Sequence, residues 1–112
     1  MGSGITQKTG KSKRGQWTAK QRQYVDRCVA DGCVACRRAF GHKGVPAQWH
    51  HEKERFHGAG MRAPHEFGLP LCDQCHTIAP FSLHRNRVKF EWHIGCTEAE
   101  LVDLMQIEYD WK

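Results

Sequence analysis

Two Cys-x-x-Cys pairs and a histidine doublet carry most of the chemistry this chain can do. Cys33-Val34-Ala35-Cys36 is the first pair and Cys72-Asp73-Gln74-Cys75 the second, with His76 directly after it and His50-His51 between the two. Thiolates and imidazoles in such spacing are the ligand set of zinc and similar ions. Two different kinds of metal site can be built from these residues. Cys28 and Cys96 lie outside any ligand spacing and read as small buried residues.

The composition favours metal over disulfide. The chain has 112 residues, 39% of them hydrophobic and 26% charged, and carries six cysteines. A domain of this size buries a thin core and profits from a staple. No run approaches the ~20 apolar residues of a membrane helix, and no secretory leader is visible, so a cytoplasmic location is expected. In a reducing compartment paired Cys-x-x-Cys motifs bind metal.

The charge is concentrated at the start. Residues 1–22 hold six basic side chains and no acid, while the remainder holds 11 basic and 12 acidic ones, so the net +5 belongs to the N-terminus. The stretch to about residue 16 is glycine- and serine-rich and apolar-poor, and is expected to be a disordered basic arm preceding one domain over 17–112. Lys8, Lys11, Lys13 and Arg14 suit a nucleic-acid backbone, where each phosphate contact releases counterions. A solubilising tail is the alternative.

Around the motifs the pattern alternates between helix and loop. Thr18 is placed to cap a helix burying Tyr24, Val25, Cys28 and Val29 and stopped by Gly32, with Trp17 folding back as a staple. Arg37 to Pro46 reads as a loop, and Ala47 to His50 as a short strand ending in the histidine pair. The polar, glycine-bearing Glu52–Glu66 stretch is expected to be a long functional loop. Phe67 to Leu71 reads as a second strand, confined to an edge by Pro70. A turn of helix limited by Pro80 is expected after His76, then a helix from Arg85 to Ile94 with Val88, Trp92 and Ile94 inward. Thr97-Glu98-Ala99-Glu100 has the form of a capping box before an amphipathic face of Leu101, Leu104, Met105 and Tyr109.

The order Cys-x-x-Cys, His-His, irregular loop, Leu-Cys-x-x-Cys-His, then helix resembles the HNH nuclease superfamily. More narrowly, Gly32-Cys33 with Cys36, His50-His51, Met61-Arg62-Ala63, Leu69-Pro70-Leu71-Cys72, Cys75-His76, His84, Phe90 and Gly95-Cys96-Thr97-Glu98-Ala99-Glu100-Leu101 look like the phage recombination-enhancement, RecA-dependent nucleases. The likeness covers about Tyr24 to Leu104. It implies a small zinc-stabilised α+β fold, in which a ββα core clasps a divalent ion and flanking helices surround it. It also implies a phage or prophage origin, DNA as substrate, a basic arm that helps bind it, and a RecA-type recombinase filament as partner.

Carried over residue by residue, the resemblance makes Cys33, Cys36, Cys72 and Cys75 a structural zinc site. His50 becomes a ligand of a catalytic Mg²⁺, Mn²⁺ or Zn²⁺, with His76, His84 or both completing it, and His51 the general base. Consecutive strand residues point to opposite faces, which suits such a division between His50 and His51. The superfamily's asparagine, which orients the base, has no counterpart between His51 and Cys75; His65 stands near its place and can supply the same hydrogen bond. Arg62 is the favoured phosphate contact among the arginines nearby. Oligomeric state is not legible. The competing reading is a non-catalytic zinc ribbon that binds DNA or acts as an adaptor, in which the histidines are incidental.

Overall fold

Thr18 opens the first helix of the structure, a computed structural model that describes residues 16–112. The expected arm residues Lys8, Lys11, Lys13 and Arg14 lie outside the described residues. Helix α1 (Ala19–Ala30) begins at a full capping box in which Thr18 Oγ1 accepts from the Gln21 amide and the Gln21 side chain accepts from the Thr18 amide. Tyr24, Val25 and Cys28 form its buried face. Gly32 follows at φ +86°, and a Cβ there would meet the Val45 backbone at 2.7 Å. Only glycine fits both the left-handed conformation and that approach.

The expected loop from Arg37 begins later. Helix α2 (Val34–Phe40) extends the first cysteine pair, because Cys33 is its cap and its sulfur accepts from the Cys36 amide at 3.4 Å. Arg37, Arg38 and Ala39 are acceptable helix formers, and the true break is Gly41 in the left-handed region.

Strands β1 (Gln48–His51) and β2 (Gly68–Leu71) pair antiparallel, with Gln48 opposite Leu71 and His51 opposite Gly68. Each strand is an edge, so Pro70 sits in β2 without removing a needed ladder bond. His50 is buried and His51 half-buried, as alternation along a strand requires. The 52–66 loop has no regular element, as expected, but it is pinned. Glu52, fully buried, accepts from the Arg55 amide and guanidinium, and Glu54 accepts from the Ala99 amide.

After β2 the chain makes a π-helical turn (Gln74–Ile78) closed by the Ala79 amide on the Gln74 carbonyl. It then reverses through Ala79 and Pro80, and the Leu83 and His84 amides bond back to the Cys75 and His76 carbonyls. Helix α3 (Arg87–Ile94) is capped by Asn86, and helix α4 (Glu98–Glu108) by the expected Thr97 and Glu100 box. Two face assignments are corrected. In α3 Phe90 and Ile94 are buried, whereas Val88 and Trp92 are 79% and 77% exposed. The pairs are two residues apart, on opposite sides of a helix, and α2 packs against the Phe90 side. In α4 the buried stripe is Leu101, Val102, Met105 and Tyr109, and Leu104 is exposed.

The result is a small α+β fold whose core joins α1, α2, β2, α3 and α4 around Leu69, Leu71, Phe90, Leu101 and Met105. No helix among the described residues is long and apolar enough to cross a membrane.

Candidate metal centres

Cys33, Cys36, Cys72 and Cys75 converge, with their sulfurs all within 4.8 Å of one another and every residue buried. Cys36 Sγ lies 3.7 Å from both Cys72 and Cys75 Sγ. Four sulfurs bound at ~2.3 Å around a tetrahedral centre sit about 3.8 Å apart, so this spacing fits one ion. Charge points the same way. A hydrogen bond from Cys75, with backbone amides of Cys36 and Cys72, outweighs burial and holds the Cys33 thiol down to about 5. Burial and the Cys33 charge push Cys36 up to about 12. Anionic sulfur buried among thiols calls for a cation, and this group can hold a zinc ion.

A second convergence joins His50 from β1, His76 from the π-helical turn and His84 from the returning loop. His50 Nδ1 is 3.1 Å from His76 Nε2, which is 3.0 Å from His84 Nε2. Imidazole nitrogens held at ~2.0–2.1 Å by one ion lie about 2.9–3.4 Å apart. Both His76 and His84 are therefore brought to His50, although eight residues separate them. The reversal at Pro80, clipped by the His84 amide on the His76 carbonyl, does what a single helical turn would otherwise do. Burial, reinforced by the neighbouring imidazoles, lowers His76 to about 4 and lowers His84 too, so both are neutral at neutral pH and could serve as ligands.

Glu98 completes this centre, and its role is invisible in the sequence motif. It is fully buried, and its Oε2 lies 2.6 Å from His50 Nε2. Arg87 donates to Oε1 at 2.7 Å and the Lys53 amide to Oε2 at 3.0 Å. Burial alone would raise this carboxyl, but the His50, Arg87 and Lys53 hydrogen bonds outweigh it and hold it at about 2. An ionised carboxylate only accepts, so His50 Nε2 donates to it and Nδ1 is the nitrogen turned to the cluster. This is the carboxylate–histidine arrangement that orients a metal ligand. In the sequence Glu98 reads as a first-turn helix acid.

His51 faces the other way. Its Nε2 lies 2.9 Å from His65 Nδ1, so the structure brings these two histidines together. Trp17 stacks on the His65 ring with centroids 3.7 Å apart and planes 9° apart, and Trp49 Nε1 donates to the His65 carbonyl at 2.9 Å. Trp17 thus packs against the core as expected of a staple, and it also stacks on His65 and takes the Arg22 guanidinium over its ring. Gly68 makes room for this, since a Cβ there would meet the Trp49 indole and the His50 carbonyl at 2.6 Å. Burial, with His65 and Arg62 nearby, lowers His51 to about 4, leaving it neutral. If His51 Nε2–H donates to His65 Nδ1, His51 Nδ1 is left as a proton acceptor.

Arg62 is exposed and bears on His51 electrostatically. Arg55 and Arg87 are engaged by Glu52 with Asp103 and by Glu98 with Glu91. His42 and His57 are exposed, and Cys28 and Cys96 stand apart from both clusters. No family model, curated protein or solved structure matches this chain.

Proposed function

We propose that the chain is an HNH-type, metal-dependent endonuclease that hydrolyses DNA phosphodiester bonds. The observation that carries the proposal is the juxtaposition, at the end of one strand, of a three-imidazole cluster on His50 with a His51–His65 pair on the opposite face. Cys33, Cys36, Cys72 and Cys75 hold a structural zinc that ties α2 to the end of β2. Such a site supplies on the order of 10 kcal/mol of folding free energy. His50, His76 and His84 hold the catalytic divalent ion, magnesium, manganese or zinc, with Glu98 and Arg87 fixing the His50 ring. When bound, that ion supplies electrostatic stabilisation of the phosphate and its leaving 3′ oxygen.

The protein's own side chains do the rest. His51 Nδ1 takes the proton from the attacking water while His65, clamped between Trp17 and the Trp49 bond, fixes the His51 tautomer. Arg62 and the basic arm residues Lys8, Lys11, Lys13 and Arg14 contact phosphates. A zinc ribbon that only bound DNA would have no use for a buried carboxylate locking the tautomer of one histidine among three. The narrower, recombinase-dependent reading follows the same residues.

The test is cleavage of supercoiled plasmid with magnesium or manganese, beside His51→Ala and a chelator control, with and without recombinase-coated DNA. Metal-dependent nicking lost in His51→Ala supports the proposal. No cleavage in any lane by zinc-loaded, DNA-binding protein would return the chain to the ribbon class.

A further inference from the structure

Burial of Phe90 and Ile94 forces Val88 and Trp92 outward on α3, where they are 79% and 77% exposed. One turn apart, they form an apolar ledge beside an open groove of about 560 Å³ lined by Asn86, Val88, Lys89, Trp92 and His93. The rings do not stop there. His93 lies 5.1 Å from Trp92, Phe81 lies 5.3 Å from His93, and Phe40, itself 41% exposed, lies 5.6 Å from Phe81. Four rings therefore run in contact across this surface.

The charged residue lining the groove is Lys89. Lys89 is exposed and its ammonium has no hydrogen-bond or ion-pair partner among the described residues. The one acid of α3, Glu91, is turned towards Arg87 and the Glu98 amide. The helix also starts at the histidine centre. Arg87, in its first turn, holds the carboxylate behind His50, and His84 lies three residues before it.

An indole open to solvent beside an unpaired ammonium is what an unpaired nucleobase and its phosphate require. Stacking on an exposed indole takes any base, and the cation takes the backbone. Paired bases in a duplex offer only edges, since their faces are already stacked. An apolar protein partner would match the rings and leave Lys89 without a counter-charge.

We propose that the outer face of α3 binds single-stranded DNA, with a base stacked on Trp92 and a neighbouring phosphate on Lys89. It rests on the endonuclease reading only for where the strand leads, which is to the histidine centre. The substrate class is then DNA with unpaired bases beside the scissile bond.

The experiment is fluorescence anisotropy of the full chain with a labelled oligothymidylate and with a blunt duplex of equal length. No divalent ion is added, and salt is raised to screen the arm. Trp92→Ala is expected to weaken single-strand binding about tenfold and leave duplex binding within about twofold, with zinc content and circular dichroism unchanged. Trp92→Phe is expected to keep most of the affinity, and Lys89→Ala to flatten the salt dependence by about one phosphate. Equal binding of both DNAs by the wild type, or unchanged or equal losses in Trp92→Ala, would overturn the proposal. Cleavage assays on the same samples separate the two readings. A Trp92→Ala effect on binding with no wild-type cleavage removes the endonuclease alone, and wild-type cleavage with Trp92→Ala binding unchanged removes the ledge alone.

Discussion

Replacing Glu98 with glutamine should weaken the histidine centre while leaving the cysteine centre intact. Glutamine keeps the size and one acceptor oxygen but removes the charge that receives three hydrogen bonds, from His50 Nε2, Arg87 and the Lys53 amide. Each bond to a charged group is worth ~1 kcal/mol more than its neutral counterpart, so the total loss is about 3 kcal/mol. Glu98 is fully buried, so solvent does not screen that loss. The uncharged amide also ceases to dictate the His50 tautomer, and removal of such an orienting partner costs ~10–100-fold in metal affinity. The assay is calorimetric titration of zinc-loaded Glu98→Gln with manganese, alongside urea unfolding. The expected result is one retained zinc, a second ion bound at least tenfold more weakly, and a lower urea midpoint. Wild-type affinity for the second ion in the variant would refute the assignment of Glu98 as the group that aims His50.

Three further outcomes follow from the same geometry. Cys72→Ala should lose the structural zinc and unfold the domain, read by metal content and far-ultraviolet circular dichroism, because three buried sulfurs cannot replace the four-ligand closure. His51→Ala should abolish plasmid cleavage while both ions remain bound, since His51 belongs to neither ligand cluster; retained cleavage would sink the base assignment. Gly68→Ala should drive Trp49 off the His65 carbonyl and lower the cleavage rate at unchanged DNA affinity, whereas an unchanged rate would mean that His65 needs no such support.

The cysteine group was legible because paired Cys-x-x-Cys spacing is chemical rather than conformational, whereas the grouping of His50 with His76 and His84 came from the family resemblance. Thr18, Gly32, Thr97 and Glu100 likewise announced helix ends through residue types that the backbone itself requires. The faces of α3 were not legible, because Val88 with Trp92 and Phe90 with Ile94 are equally apolar pairs at helical spacing, and only the position of α2 chooses between them. The reach of His84 to His76 was hidden for a related reason: it depends on a chain reversal at Pro80 sealed by backbone hydrogen bonds, which no side-chain pattern encodes. Glu98 and Trp17 were missed because each has a plausible local task, one as a first-turn acid and one as a staple, that conceals its long-range contact with His50 or His65.

The most direct measurement is cleavage by protein whose histidine centre is emptied by mild chelation, with the cysteine-bound zinc retained, and then refilled stepwise with manganese. The account predicts that nicking of supercoiled DNA vanishes on emptying and returns in proportion to one equivalent of ion per chain. Nicking that persists with the centre empty, or fails to return when it is full, would contradict it.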